Sequence, residues 1–137
     1  MVISFYTTQF SQPSPGNEDA ITGKWLMPDQ MGTLEIFKCN DLYCGKIIEI
    51  TEKSEDGGPL LDIENPDESL RNRPVLNLQV MSDFKYAGDS LWNDGTFYIP
   101  RKGKEASPDF ILIDDNHLNI EISFLFFSKT VELVKIR

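Results

Sequence analysis

Cys39 and Cys44 stand in the run Lys38-Cys39-Asn40-Asp41-Leu42-Tyr43-Cys44-Gly45 and are the only 2 cysteines in 137 residues. Asn-Asp and Gly supply turn chemistry between two strand-like arms, so the natural picture is a hairpin with a cysteine on each arm. Paired, they close a very short loop whose chain entropy amounts to about 2 kcal/mol, pinning the hairpin rather than creating the fold. Unpaired, they are two ordinary thiols, and the residues alone leave both readings open. The spacing is not Cys-x-x-Cys, and no histidine is placed to complete a metal site. His117, the one histidine, lies in Asp114-Asp115-Asn116-His117-Leu118, a polar turn entering a strand, where a surface role outweighs that of a general base. The acidic group Asp62, Glu64, Asp67 and Glu68 lacks the alternating ligand spacing and central glycine of a calcium loop. Its expected work is capping and ion pairing with Arg71 or Arg73. Nucleophile elbow, P-loop, dinucleotide fingerprint and His-Glu-x-x-His are all missing. We therefore name no catalytic residue, no metal ligand and no cofactor, and lean against an enzyme. Arg71, Arg73, Trp92 and Tyr98, two cations with an aromatic wall and a phenol, are the candidate ligand-binding residues.

The elements that position these residues read mainly as strands. Leu118, Ile120, Ile122 and Phe124 alternate with Asn119, Glu121 and Ser123, and Leu76, Leu78 and Val80 alternate with Asn77 and Gln79, the period of a strand with one wet face. Less regular runs cover Leu34 to Lys38, Lys46 to Thr51, Gly95 to Ile99, Phe110 to Ile113 and Thr130 to Ile136. With a first strand around Trp25 this makes about eight. Turn-rich separators such as Gly88-Asp89 and Lys102-Gly103 set them at hairpin spacing. An all-β fold follows, a small antiparallel up-and-down β-barrel, because closure removes the exposed edges that would otherwise aggregate. One short helix near residues 66–71 interrupts the pattern: Asn65 as cap, Pro66 at the first position, Glu68 as capping-box partner, Arg71 and Arg73 at the far end and Pro74 as the stop. Residues 1–20 read as a flexible lead-in without the pattern of an export signal, and residues 21–137 as a single barrel domain. A net charge of -9 opposes binding to nucleic acid, and no apolar run is long enough for a transmembrane helix.

Gly23-Lys24-Trp25 at the start of the first strand resembles the signature of lipocalin-like barrels, the calycins. In those, the tryptophan plugs one barrel end and a basic residue of the last strand covers it, a role for which Lys135 and Arg137 are the candidates. A longer pattern resembles the bacterial family called domain of unknown function 2147. It comprises Trp25-Leu26, Leu34 to Cys39 with Leu42 to Ile47, Asp62 with Asn65-Pro66-Asp67, Leu70-Arg71 and Arg73-Pro74, then Trp92 with Gly95 to Tyr98 and Pro100. It runs in order from about Gly23 to Arg137. Ile99 and Arg101 to Lys104 depart from the acidic, glycine-containing turn of that family, and Glu132 or Leu133 replaces its last tryptophan. The resemblance implies a lipocalin-type barrel, a periplasmic or secreted setting and, with it, a Cys39–Cys44 disulfide. It brings no activity.

Three function classes remain. The first is binding of a small hydrophobic or amphipathic ligand inside the barrel, whose expected inward residues are Ile36, Ile48, Ile50, Leu76, Leu78, Val80, Phe97, Leu112, Leu118, Ile120 and Ile122. The second is an envelope-associated interaction module with a filled core, and the third an enzyme of unidentified class. Phe124-Leu125-Phe126-Phe127 is too continuously apolar for a strand with one wet face. Leu125 and Phe127 either form an outward patch for a protein partner or a membrane surface, or fold over the barrel end as a lid, which is the reading the residues favour.

Overall fold

The computed structural model describes residues 18–28, 32–123 and 125–136. Its strands are β1 (Gly23–Leu26), β2 (Thr33–Cys39), β3 (Leu42–Glu49), β4 (Gln79–Gly88), β5 (Leu91–Asn93), β6 (Thr96–Ile99), β7 (Lys104–Ala106), β8 (Asp109–Asp114), β9 (His117–Ser123) and β10 (Ser128–Ile136). All pairings are antiparallel. β5 and β6 lie in succession along β4, and β8 carries the wall on from β5 to β9. Pairing of β1 with β10 and of β3 with β4 closes an eight-walled barrel, from whose rim β6 and β7 extend as a flap. This is the up-and-down barrel that the alternation implies.

Strand direction gives the barrel two unlike ends. One carries the tight turns after β2, β4 and β8; the other carries the 50–78 connection, the β6–β7 turn and the β9–β10 tip. The first end is closed. Glu18–Ile21 forms a single 3-10 turn that puts Ile21 into the core. The Trp25 indole N–H donates to the Ile21 carbonyl at 2.9 Å and that of Trp92 to the Glu18 carbonyl at 3.1 Å. Lys135 lies 5.2 Å from the Trp25 ring centroid and donates to the Thr22 carbonyl at 3.0 Å. Gly23, at φ +132°, lets it pass: a Cβ there would come within 2.9 Å of the Lys135 side chain. This is the tryptophan plug and basic cover expected of Gly-x-Trp, supplied by Lys135; Arg137, the other candidate, lies outside the described residues. Tyr43 completes the closure by donating to Asp19 at 2.5 Å, with Lys38 3.3 Å from the same carboxylate.

Trp25, Tyr43, Phe84, Trp92 and Phe110 fill this half and are almost wholly buried. The disulfide Cys39–Cys44, with Cα atoms 5.9 Å apart, ties the β2–β3 hairpin at the same end.

Four expectations are corrected. The short helix near residues 66–71 is only a 3-10 turn, Glu68–Leu70, and its cap is Asp67, which accepts from the Ser69 amide. Asn65 is occupied elsewhere, accepting from the Asp67 amide and donating to Asp62. Leu76 is not inward: it lies before β4 begins, beside Asn77 at φ +69°, and is 47% exposed. In β3 it is Ile47 rather than Ile48 that joins the core. Leu125 and Phe127 do not form a lid, being 88% and 66% exposed; Phe124 lies outside the described residues.

Candidate functional site

The open half of the barrel is lined by smaller side chains, and the space they leave is the candidate site. Ile47 of β3, Val80 of β4, Phe97 of β6, Leu60 and Val75 of the 50–78 connection and Met27 surround a hollow of about 300 Å³. That is near the lower end of the volumes used for small-molecule pockets, and its lining is predominantly apolar, as theirs is. Glu52, Glu64 and Arg101 stand among its lining residues at the rim.

The cover over this hollow is built around one carboxylate. Leu61 bridges Pro74, the Asp62 amide donates to the Arg73 carbonyl at 3.0 Å and the Val75 amide to that of Leu60 at 3.0 Å, so the connection folds back on itself as a short ladder. Asp62 is thereby carried out of water altogether. Its two oxygens take three side-chain donors: the Tyr98 hydroxyl at 2.6 Å, the Asn65 amide at 2.9 Å and the Arg73 Nε at 2.9 Å. Burial pushes the Asp62 carboxyl up, but hydrogen bonds from Tyr98, Asn65 and Arg73 together outweigh it and hold the group below its ordinary range. Burial and the same hydrogen bond to Asp62 raise the Tyr98 phenol to about 12. Holding Tyr98 of the flap together with Asn65 and Arg73 of the connection, the carboxylate works as a latch. Two further contacts hold the flap to the connection. Arg101 pairs with Glu52, and Gly103 at φ +62° packs so closely that a Cβ would lie 1.9 Å from the Glu64 carbonyl oxygen.

Tyr98 faces two ways. It lines the apolar hollow and also a second groove of about 460 Å³ shared with Arg73, Gln79, Thr96 and Glu105. Of the four candidate ligand-binding residues, Arg73 and Tyr98 meet on Asp62, and the Arg73 guanidinium lies 5.8 Å from the Tyr98 ring centroid. Arg71 is next to them, donating to the Asn65 carbonyl at 2.7 Å. Trp92 is not brought to this group: it packs at the closed end, 4.8 Å from the Tyr86 ring centroid and 6.4 Å from that of Tyr43. His117 pairs with Asp114 at 2.8 Å on an exposed turn remote from the hollow. Among the described residues the one tight grouping of potential metal-ligating atoms is Cys39, Cys44 and Asp83, and its two sulfurs are bonded to each other. Sequence reasoning missed the work of Glu18 and Asp19 at the plug, because their neighbourhood has no hydrophobic period, and the roles of Met27 and Leu60 as lining.

Residues 23–134 match the model of a family described as "Uncharacterized protein conserved in bacteria (DUF2147)". No curated protein matches the chain in sequence. Among solved structures, a Helicobacter pylori protein described as belonging to the lipocalin family is similar, with a TM-score of 0.74 at 19% identity over 85% of this chain and 83% of that one. At that identity the likeness is one of fold. No helix among the described residues is long and apolar enough to cross a membrane.

Proposed function

Taking as premise that the chain belongs to the DUF2147 family and folds as a lipocalin-like barrel, we propose that it binds a small hydrophobic or amphipathic molecule in the open half of that barrel. The observation that carries this reading is the hollow of about 300 Å³ beneath the latched connection, apolar in its walls and open at the rim. The ligand's apolar body lies against Ile47, Val80 and Phe97. Tyr98 presents the polar edge, with Arg73 and Arg71 fixing it from behind, and Trp92 supports the barrel from the far end. Glu18 and Asp19, expected to precede the domain, belong to it through their bonds to Trp92 and Tyr43, and the disulfide together with the fold favours a periplasmic or secreted setting. The role proposed is binding, with no catalytic residue named.

Native mass spectrometry of protein purified from an oxidising compartment tests this, alongside the variant Val80→Trp, which fills the hollow. A discrete adduct on the wild-type chain, lost on denaturation and missing from Val80→Trp, is the expected result. A bare wild-type monomer that also fails to take up an environment-sensitive apolar dye would overturn it. The second reading, an envelope-associated interaction module, draws on Leu125 and Phe127, both exposed at the β9–β10 tip.

A further inference from the structure

The two sulfurs of the Cys39–Cys44 bridge stand in unlike surroundings. On β3, Tyr43 and Ile47 turn into the core, so by alternation Cys44 lies on the outer face of the barrel wall. It is nevertheless only 3% exposed. Cys39, the last residue of β2, is half-buried and adjoins the exposed turn residues Asn40 and Asp41. Of the two, Cys39 is the sulfur that a molecule in solution can reach.

The neighbouring strand brings a carboxylate to the same place. Tyr43 pairs with Phe84 and Gly45 with Met81, so Cys44 stands opposite two residues of β4, Ser82 and Asp83. Asp83 is the residue at φ +60° in that bulge, and a bulge re-aims the side chain it carries. Here a carboxylate oxygen and both sulfurs come to lie within 4.8 Å of one another. Among the described residues the Asp83 side chain has no hydrogen-bond or ion-pair partner. Of the other charges on these segments, Asp41 has the same sign, Lys38 is engaged with Glu18 and Asp19, and Lys85 is exposed two residues further along β4.

We propose that Cys39 is the point at which this disulfide exchanges with small thiols, and that Asp83 guards it against anionic ones. A thiolate forms a new bond to Cys39 Sγ while the bond between Cys39 and Cys44 breaks, its electron pair leaving on Cys44 Sγ, which then takes a proton from water. A second thiolate attacks the outer sulfur of this mixed disulfide, releasing the small disulfide and the Cys39 thiol, so two thiols are oxidised for each bridge reduced. Attack at Cys44 is closed by burial. Asp83 opposes the first step twice. It repels the incoming anion, and it disfavours the negative charge that gathers on the buried Cys44 sulfur. This exchange site lies outside the hollow and does not depend on ligand binding.

The test is the rate at which the full chain is reduced by cysteamine, mercaptoethanol and mercaptoacetate, whose thiolates are overall neutral, singly negative and doubly negative. Each rate is compared between wild type and Asp83→Asn, a residue that keeps the shape and tolerates positive φ. The ratio of the two cancels the nucleophilicity of each thiol. Expected is a gain of about threefold or more for mercaptoethanol, larger for mercaptoacetate and smallest for cysteamine. Salt at about 1 M should compress the series. A ratio that is unity, or the same for all three thiols, overturns the guarding role. The point of attack is read on wild type alone: a pulse of iodoacetamide during reduction by mercaptoethanol captures the freed sulfur, and tandem mass spectrometry locates both groups. The mercaptoethanol adduct on Cys39 with the alkyl group on Cys44 is the expected product. The reverse pattern, or an even mixture, overturns the assignment of Cys39.

Discussion

Asp62 concentrates the energetics of the site in one side chain. Its replacement by alanine leaves the Tyr98 hydroxyl, the Asn65 amide and the Arg73 guanidinium without their shared acceptor. The expected loss is about 3 kcal/mol in urea unfolding. Tyr98→Phe, which removes one donor of three, should cost about 1 kcal/mol. Since the folded carboxyl titrates below its ordinary value, the unfolded chain binds its proton at a higher pH than the folded chain does. Stability from this group is then complete above about pH 4 and is lost as pH falls through the depressed folded value. A pH series of unfolding midpoints should show a shallower acid limb in Asp62→Asn than in wild type. At this scale, what was legible followed from charge: the pairing of Asp62 with Arg73 was expected from an acid group beside two arginines. Tyr98 as third partner was not legible, because it lies 36 positions away from Asp62 and only the fold of the flap brings it there.

Elements with one wet face were visible in the sequence, and those with an irregular backbone were not. β9 runs through its alternation without interruption, burying Leu118 and Ile120. β4 reads poorly beyond Val80 because Asp83, at φ +60°, inserts a bulge: Met81 and Phe84 are both fully buried at a spacing of three, where a regular strand repeats at two. The 66–71 segment misled for another reason. Its capping residues are real signals, but Asn65 is drawn to Asp62 and Arg73 must return to the same carboxylate, leaving room for one tight turn. The β2–β3 hairpin was legible down to its cysteines. Its disulfide closes so short a loop that reduction should lower stability by about 2 kcal/mol and leave the barrel folded. In urea titrations with and without reductant the midpoint should fall while the slope stays constant.

Taken whole, the molecule is packed at one end and hollow at the other. Aromatic side chains of the closed half interlock across several strands, whereas the 50–78 connection is held over the hollow chiefly by Asp62, the Arg101–Glu52 pair and the Gly103 contact. Native-state hydrogen exchange should therefore find the slowest amides in β2, β3 and β9 near the plug and much faster ones in residues 51–59, since local opening follows the density of buried contacts. The barrel itself was legible from strand count and turn spacing. Its hollow was not, because a cavity is a small difference between large volumes and needs coordinates. One pairing stands apart from the rest. The other ladders span at most the stretch from Tyr43 to Phe84, but Trp25 lies opposite Lys135, 110 positions on. Closing that seam is the most non-local event in the chain and carries the largest loop entropy, so hairpins can assemble early while the cylinder waits for its two ends to meet. The tryptophan, its glycine gap and its lysine cover all belong to that seam, which makes sealing the closed end and completing the barrel a single late step of folding.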